Sequence, residues 1–242
     1  NDNDKLKLVD TLFMIHEAFD IDGITTFEIG HETLVDDLHV KDGFGVIYKL
    51  SEHGIPVPVG HPVKTVDDLK KFKPPLPREE DLGLLDLAID RFKGQKASFW
   101  LMRGSFVPTW RLMGMTNFMM NIYSNPEFIH RVAQMMLEFN LAQLDLLVKT
   151  GLDVLVIEDD IASTKSPMIS PDHFKTFVNP YNRQIVDKAH EKGLKVVRHS
   201  DGNLWPLMDI LLETGYDGIN PLEPQAGMEM KKVKAYCGDR IC

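Results

Sequence analysis

Acidic and imidazole side chains recur in this chain directly after short apolar segments that follow a glycine. Three segments have this form: Gly151–Asp160, Gly193–Asn203 and Gly215–Pro224. The polar residues that they place after predicted strands are Glu158, Asp159, Asp160, His199, Asp201, Asn220 and Glu223. In parallel α/β architectures, and above all in eight-stranded barrels, active sites are built where the strands end. We therefore expect a catalytic or binding site at this edge.

Three successive acids, Glu158, Asp159 and Asp160, follow the apolar run 155–157. Side chains alternate along a strand, so Glu158 and Asp160 would share one face and Asp159 would point to the other. Any of the three is a candidate catalytic acid, base or metal ligand. The alternative is that they cap the following loop through nearby backbone amides.

A histidine and an aspartate two positions apart, His199 and Asp201, end the next predicted strand. Imidazole and carboxylate can converge there on one point, and Gly202 allows a tight turn or the close approach of a ligand. With Glu223 or Glu158 as a further ligand, the set predicts a divalent-metal site. Alternatively, Asp201 only orients His199 or caps the following helix.

Four residues are candidate substrate contacts: Glu28, Arg103, Trp110 and Asn220. Arg103 follows a predicted strand and could bind a substrate carboxylate in bidentate fashion or form a salt bridge with the acidic edge. Glu28, or His31 close to it, occupies the corresponding position after the first strand. Trp110 precedes a methionine-rich segment that could line an adaptable apolar pocket, although helix core is the other interpretation.

The elements that position these residues are predicted from periodicity and from helix-ending glycines. Strands are expected near 24–29, 97–103, 153–158, 195–199, 217–220 and from 240 onward, with helices at 126–150, 171–193 and 203–215 between the later ones. Alternating strands and helices predict a parallel sheet covered by helices.

The length of 242 residues predicts one domain, a TIM (β/α)8 barrel. Segment 31–96 is expected to be an excursion from the barrel, with a short hairpin (43–48 and 55–59) and a helix after Thr65. Five or six strands do not close eight, and an amphipathic helix starts almost at residue 1. We therefore expect that the chain lacks one segment at the start and the last strand.

Composition excludes several classes of function. The net charge of −9, with no local cluster of basic residues, disfavours nucleic acid as a partner. Neither a long apolar run nor a signal peptide appears, so we expect no membrane association. Two cysteines with twelve methionines fit a cytoplasmic protein.

Three segments, 157–193, 196–203 and 219–224, resemble the uroporphyrinogen decarboxylase superfamily, which also contains cobalamin-dependent methyltransferases. The resemblance extends over essentially the whole chain. It implies a TIM barrel with its site in the C-terminal cleft, and it implies that the family's first segment and last strand lie outside this sequence. Decarboxylases of the family are often dimeric, so a homodimer is also expected.

The two branches of the superfamily use different residues. Decarboxylases use an arginine-rich N-terminal motif, which this chain lacks, an aspartate that contacts the pyrrole nitrogens, and a tyrosine whose position here is Trp110. Methyltransferases bind zinc through a His-x-Cys pair and a later cysteine, and this pair reads His199-x-Asp201 here. An oxygen-rich zinc site would favour a substrate other than the usual thiol.

The resemblance favours a methyltransferase that moves a methyl group between a small molecule and a corrinoid carried by a partner protein. His199, Asp201 and Glu223 would hold zinc or bind a polar group of the substrate, while Glu158 or Asp160 would manage protons or charge. The first alternative is a cofactor-free uroporphyrinogen decarboxylase, in which a carboxylate such as Asp159 stabilises a protonated pyrrole. The second is a tetrapyrrole-binding paralogue without catalysis.

Overall fold

A computed structural model describes residues 2–28, 32–51 and 54–242, with side chains from residue 9 onward. His31 lies outside the described residues. The strands are β1 (Gly23–Phe27), β2 (Thr33–Asp36), β3 (His39–Lys41), β4 (Ile47–Lys49), β5 (Val57–Gly60), β6 (Ala97–Arg103), β7 (Val154–Glu158), β8 (Lys195–His199) and β9 (Gly218–Asn220). The α-helices are α1 (Asp2–Ala18), α2 (Val66–Lys71), α3 (Gly83–Phe92), α4 (Phe106–Met113), α5 (Met115–Ser124), α6 (Pro126–Leu147), α7 (Pro171–Phe177), α8 (Asn179–Glu191), α9 (Met208–Thr214) and α10 (Met230–Cys237).

Five strands form one parallel sheet in the order β1-β6-β7-β8-β9, so the fold is α/β as expected. All five lie within a few residues of the predicted strands. Among the described residues the sheet does not close into a barrel and stays open at β1 and β9, in agreement with the expectation that the strands of this chain are too few to close eight. Cys242 nevertheless begins a parallel ladder beside β9, because its N–H donates to Asp217 and its carbonyl accepts from Ile219.

The two faces of this sheet differ in their neighbours, as the period-2 alternation of a strand requires. Every second side chain, including Trp100, Met102, Ile157 and Val196, is buried in the main hydrophobic core, which also contains the apolar faces of the covering helices. A second, smaller cluster joins α1 and α3 to β1, with Phe13 and Phe92 in edge-to-face contact.

The helices after β6 begin and end largely where the sequence predicts. Ser170 caps α7 by accepting a hydrogen bond from the N–H of His173. The single helix expected over 171–193 is instead two helices, α7 and α8, which meet at Val178. Pro180 explains the break, because proline has no N–H to donate to the carbonyl four residues earlier and its ring crowds that carbonyl. Among the described residues, no helix is both long and apolar enough to cross a bilayer.

The excursion between β1 and β6 is larger than expected. Its predicted hairpin is β4 with β5, and β2 and β3 extend it to a four-stranded antiparallel sheet. Thr65 caps α2 in a reciprocal capping box with Asp68, as its position before the helix suggested. Phe44, Val46 and Tyr48 anchor this sheet in the main core.

Asp217, just before β9, ties the end of the sheet together. Its carboxylate accepts hydrogen bonds from Lys195 Nζ (2.8 Å), His190 Nε2 (2.8 Å) and the N–H of Val196 (2.9 Å). Partial burial raises its pKa, but these three donors outweigh burial and lower the pKa to about 2. The charged form of Asp217 therefore contributes to the stability of the folded chain.

Candidate active site at the carboxyl end of the sheet

Four of the predicted site residues lie in a single row across the sheet. Arg103 pairs in register with Glu158, Glu158 with His199, and His199 with Asn220. These residues are the last of β6, β7, β8 and β9, so parallel pairing alone brings them to one edge. The structure therefore brings these four residues together at one edge of the sheet.

The sheet face away from the helices borders a groove of about 930 Å³. Its lining comes from all five strands and is mostly apolar: Gly23, Thr25, Phe99, Leu101, Val154, Val156, Lys195, Val197, His199, Asp217, Gly218, Ile219, Asn220 and Cys242. His199 and Asn220 lie where this groove reaches the carboxyl ends of the strands. The arrangement provides a large apolar surface with a polar edge.

A smaller pocket of about 170 Å³ adjoins the same edge. We call it the Glu158 pocket, and its lining is Phe27, Glu28, Phe44, Leu101, Arg103, Met136, Phe139, Asn140, Gln143 and Glu158. Glu28, Arg103 and Glu158 were expected at the site. Asn140 and Gln143 of α6 were not, although two amides three residues apart on the apolar face of a helix are an unusual pattern that marks them.

Arg103 was expected either to bind a substrate carboxylate or to form a salt bridge with the acidic edge, and its ion pair is with a different acid. Its side chain is 45% exposed and Nη1 is 3.8 Å from Asp42 Oδ2, so the arginine pairs with the excursion sheet and not with the acids after β7. Asp42 was not predicted as a partner. Its carboxylate also accepts from the Tyr48 hydroxyl and from two backbone amides of its own turn.

Asp159 is on the opposite face from Glu158, as strand alternation predicts, and it is completely buried among the helices. Its carboxylate accepts from the backbone N–H of Ser105 (3.1 Å), Phe106 (3.0 Å) and Val107 (2.6 Å) at the start of α4. A carboxylate at a helix N-terminus stabilises the unpaired amides and the helix dipole. The catalytic role predicted for Asp159 is therefore replaced by a structural one, because its oxygens do not reach the groove.

Arg198 completes this buried structure and was not predicted. It is fully buried behind the sheet, its Nη1 is 3.6 Å from Asp159 Oδ2, and its Nη2 donates to the Asp159 carbonyl. Asn182 of α8 joins through Ser105, whose hydroxyl donates to Asn182 Oδ1 at 2.7 Å. The sequence pattern that could have indicated it is that Arg198 lies two residues after Val196 in the same strand, so the two side chains share the buried face.

A second cluster of acids lies in the loops beyond the strands. Asp160 Oδ1 accepts from the N–H of Asp201 (3.1 Å), and Glu223 Oε2 accepts from the N–H of Gly202 (2.7 Å). Desolvation raises the pKa of Asp201, and the carboxylates of Asp160 and Glu223 raise it further against the opposing effect of His199. The acids thus meet as the sequence suggested, and they bind backbone amides.

Gly202 is required by the packing of its loop. It has φ +91°, and a Cβ there would lie 2.6 Å from the Ser163 carbonyl oxygen. The backbone of residues 162–163 packs directly against Gly202 and takes the place of the ligand expected there. This contact holds the loop after β8 against the loop after β7.

Comparison with known proteins identifies the family of this chain. The family profile described as uroporphyrinogen decarboxylase (URO-D) matches residues 9–242. The chain belongs to this family. Two relatives are methylcobamide:CoM methyltransferases MtbA, from Methanosarcina acetivorans (26% identical) and Methanosarcina mazei (24% identical), each over 168 residues that are 68% of this chain and 49% of the relative. The chain thus spans about half the length of these curated relatives.

The fold of this uroporphyrinogen decarboxylase family member is also found in a solved structure. A methyltransferase from Methanosarcina mazei matches with a TM-score of 0.72 and 17% identity, over 96% of this chain and 66% of that chain. The likeness supports the α/β fold with a parallel sheet.

The zinc set that the family resemblance implied is not assembled in the described part of the chain. His199 faces the groove, whereas the carboxylate of Glu223 is turned to the Gly202 amide. Among the described residues, no three His, Cys, Asp or Glu side chains come together as a group that could hold a metal ion. The residues present do not fit zinc, and we derive no chemistry through a metal.

The two remaining candidate substrate contacts, Glu28 and Trp110, differ in their surroundings. Glu28 lines the Glu158 pocket and accepts from Gln143 Nε2 at 3.4 Å. Trp110 lies on α4 and packs against the core with its ring near the Arg111 guanidinium, so it lines neither the groove nor the Glu158 pocket. The methionine-rich segment after it mainly forms helix core, which was one of the two interpretations.

Proposed function

We propose that this chain catalyses the transfer of a methyl group between a small molecule and a corrinoid carried by a partner protein. The observation that carries the proposal is the row Arg103, Glu158, His199 and Asn220, which borders both the apolar groove and the Glu158 pocket. The methyltransferase relatives of the chain support the same reaction class.

The two cavities suit the two reactants. A corrinoid is a large ring system, and we assign its face to the apolar wall formed by Leu101, Val156 and Val197. The cobalt of the corrinoid supplies the difficult chemistry of accepting or releasing a methyl group. The chain itself has to orient the small molecule at the edge of the groove and exclude water from it.

Proton management falls to the half-buried residues of the row. When a methyl group leaves a heteroatom without its bonding electrons, the heteroatom retains the electron pair and gains basicity. Glu158 lies beside the Glu158 pocket and His199 beside the groove, so either can deliver or accept a proton there. Asp160 and Asp201 remain at the edge, where their charge can orient a polar substrate group.

Free methylcobalamin and cob(I)alamin test the proposal, because methylation of cobalt changes the visible spectrum. We expect the chain to transfer methyl groups between one of these corrinoids and a panel of small amines, thiols and methyl ethers. The variants Glu158→Gln and His199→Ala should lower the rate at least tenfold. The control His173→Ala, on the α7 helix in the outer layer, should keep the wild-type rate.

Two results would overturn the proposal. One is the absence of methyl transfer with every member of the panel, also after addition of corrinoid proteins. The other is release of carbon dioxide from uroporphyrinogen, since that reaction belongs to the decarboxylase branch.

A further inference from the structure

The lining of the Glu158 pocket contains several hydrogen-bond acceptors that receive no hydrogen bond from a described residue. Asn140 and Gln143 are 1% and 4% exposed, and each donates its amide N–H, to the Arg103 carbonyl and to Glu28 respectively. The Oδ1 of Asn140 and the Oε1 of Gln143 receive no hydrogen bond from any described residue. Both residues line the pocket, so their amide oxygens can accept from a ligand there that donates.

Charge in the pocket points the same way. The carboxylate of Glu158 makes no hydrogen bond or ion pair with another described residue, although Arg103 is its partner in register. The guanidinium of Arg103 is instead near Asp42. Among the described residues the lining has two acids, Glu28 and Glu158, and one base, Arg103, and the half-buried Glu158 has no cationic partner among them.

The apolar walls suit a cation with carbon substituents. Phe44 and Phe139 pack edge to face with their ring centroids 4.9 Å apart, and Phe27 provides a third aromatic ring. Aromatic faces attract organic cations, most strongly where water is excluded. A volume of about 170 Å³ has room for about six non-hydrogen atoms, taking the share of a water in the liquid as a guide.

We propose that the Glu158 pocket binds a small organic ammonium ion that donates N–H bonds to Glu158, Asn140 and Gln143 while its carbon substituents contact the phenylalanines. This proposal deepens the proposed function and rests on it in one respect only, namely that the ion is the small-molecule reactant. The binding itself needs no turnover and no corrinoid.

Calorimetric titration with isopropylammonium chloride tests the proposal. Propan-2-ol has a similar shape without charge, and isobutyrate carries the opposite charge. We expect the wild-type chain to bind isopropylammonium and neither of the other two. Glu158→Gln, which keeps the shape of the side chain, should weaken the binding about tenfold or more.

Glu138→Gln is the matched control, because it makes the same chemical change on an exposed position of α6, the helix that carries Asn140 and Gln143. Its affinity should equal that of the wild type. The proposal is overturned if isobutyrate binds through Arg103, if propan-2-ol binds as well as the ammonium ion, or if Glu158→Gln leaves the affinity unchanged. The three ligands are compared on the wild-type chain, so the test survives poor folding of a variant.

The two proposals fail separately. Methyl transfer to or from a neutral thiol or ether, without binding of isopropylammonium, would refute the ammonium site and leave the proposed function intact. Binding of the ammonium ion without any methyl transfer would support the ammonium site and refute the proposed function.

Discussion

The buried pair of Asp159 and Arg198 allows a quantitative prediction about stability. Replacing Asp159 with asparagine keeps the volume of the side chain but removes the charge opposite a guanidinium that is fully buried. It also replaces one acceptor oxygen with an NH₂ group that faces the amides at the start of α4. We therefore expect Asp159→Asn to destabilise the folded chain strongly.

The magnitude follows from the contacts. One orientation of the asparagine loses the bond from Val107, and the other loses those from Ser105 and Phe106, so at least one buried N–H is left unpaired at a cost of about 1–3 kcal/mol. Leaving the arginine uncompensated costs about 3–5 kcal/mol. Because these effects overlap, we expect a total loss of about 4 kcal/mol in the free energy of unfolding.

Urea denaturation followed by circular dichroism at pH 7 measures this loss. Asp160→Asn is the control, since it makes the same change at the next residue, on an exposed side chain, and should cost less than about 0.5 kcal/mol. In the double variant Asp159→Asn/Arg198→Met, the unpaired charge is gone, so it should be more stable than the sum of the single effects by about 1 kcal/mol or more. A loss below about 1 kcal/mol for Asp159→Asn, or strict additivity in the cycle, would refute this reasoning.

Three further predictions concern the two ends of the sheet. Gly104→Ala should cost about 2 kcal/mol in unfolding free energy, because its Cβ would clash with the carboxylate of Asp159. Asp217→Asn should cost about 1–2 kcal/mol in unfolding free energy at pH 7, a range that allows for the partial exposure of Asp217, and little near pH 2. The reason is that a pKa lowered from 3.8 to about 2 stabilises the fold above pH 4, and this contribution is lost as the pH falls toward 2. Asp160→Asn should lower the pKa of Asp201 in an NMR titration, because a neighbouring negative charge that raises it is removed.

Each of these predictions has its own control. Gly83→Ala serves the first, since nothing lies within 4 Å of its added Cβ, and equal effects of the two alanines would contradict the clash. For the second, a loss of stability in Asp217→Asn that is independent of pH would show that charge is not the cause. For the third, Asp172→Asn on the exposed side of α7 should leave the titration of Asp201 unchanged, and an equal shift in both variants would exclude a local effect.

The sequence by itself predicted most of the sheet and the row of residues at its edge. Apolar runs and helix-ending glycines are local signals, and parallel pairing then brings the ends of β6, β7, β8 and β9 together whatever the details of packing. Alternation along β7 also predicted that Asp159 points away from Glu158. The wrong prediction of one helix over 171–193 missed a local signal, Pro180.

Only the tertiary structure shows which polar groups line the cavities and which are bound within the fold. Asp159 and Arg198 are distant in sequence, and their burial against α4 depends on how that helix packs behind the sheet. Likewise, the amides of α6 bind residues far away in the sequence: Asn140 is 37 positions from Arg103, and Gln143 is 115 positions from Glu28. Periodicity tells which face of an element a side chain occupies, but its hydrogen-bond partners are set by the packing of elements far apart in the chain, for which a local pattern carries no information.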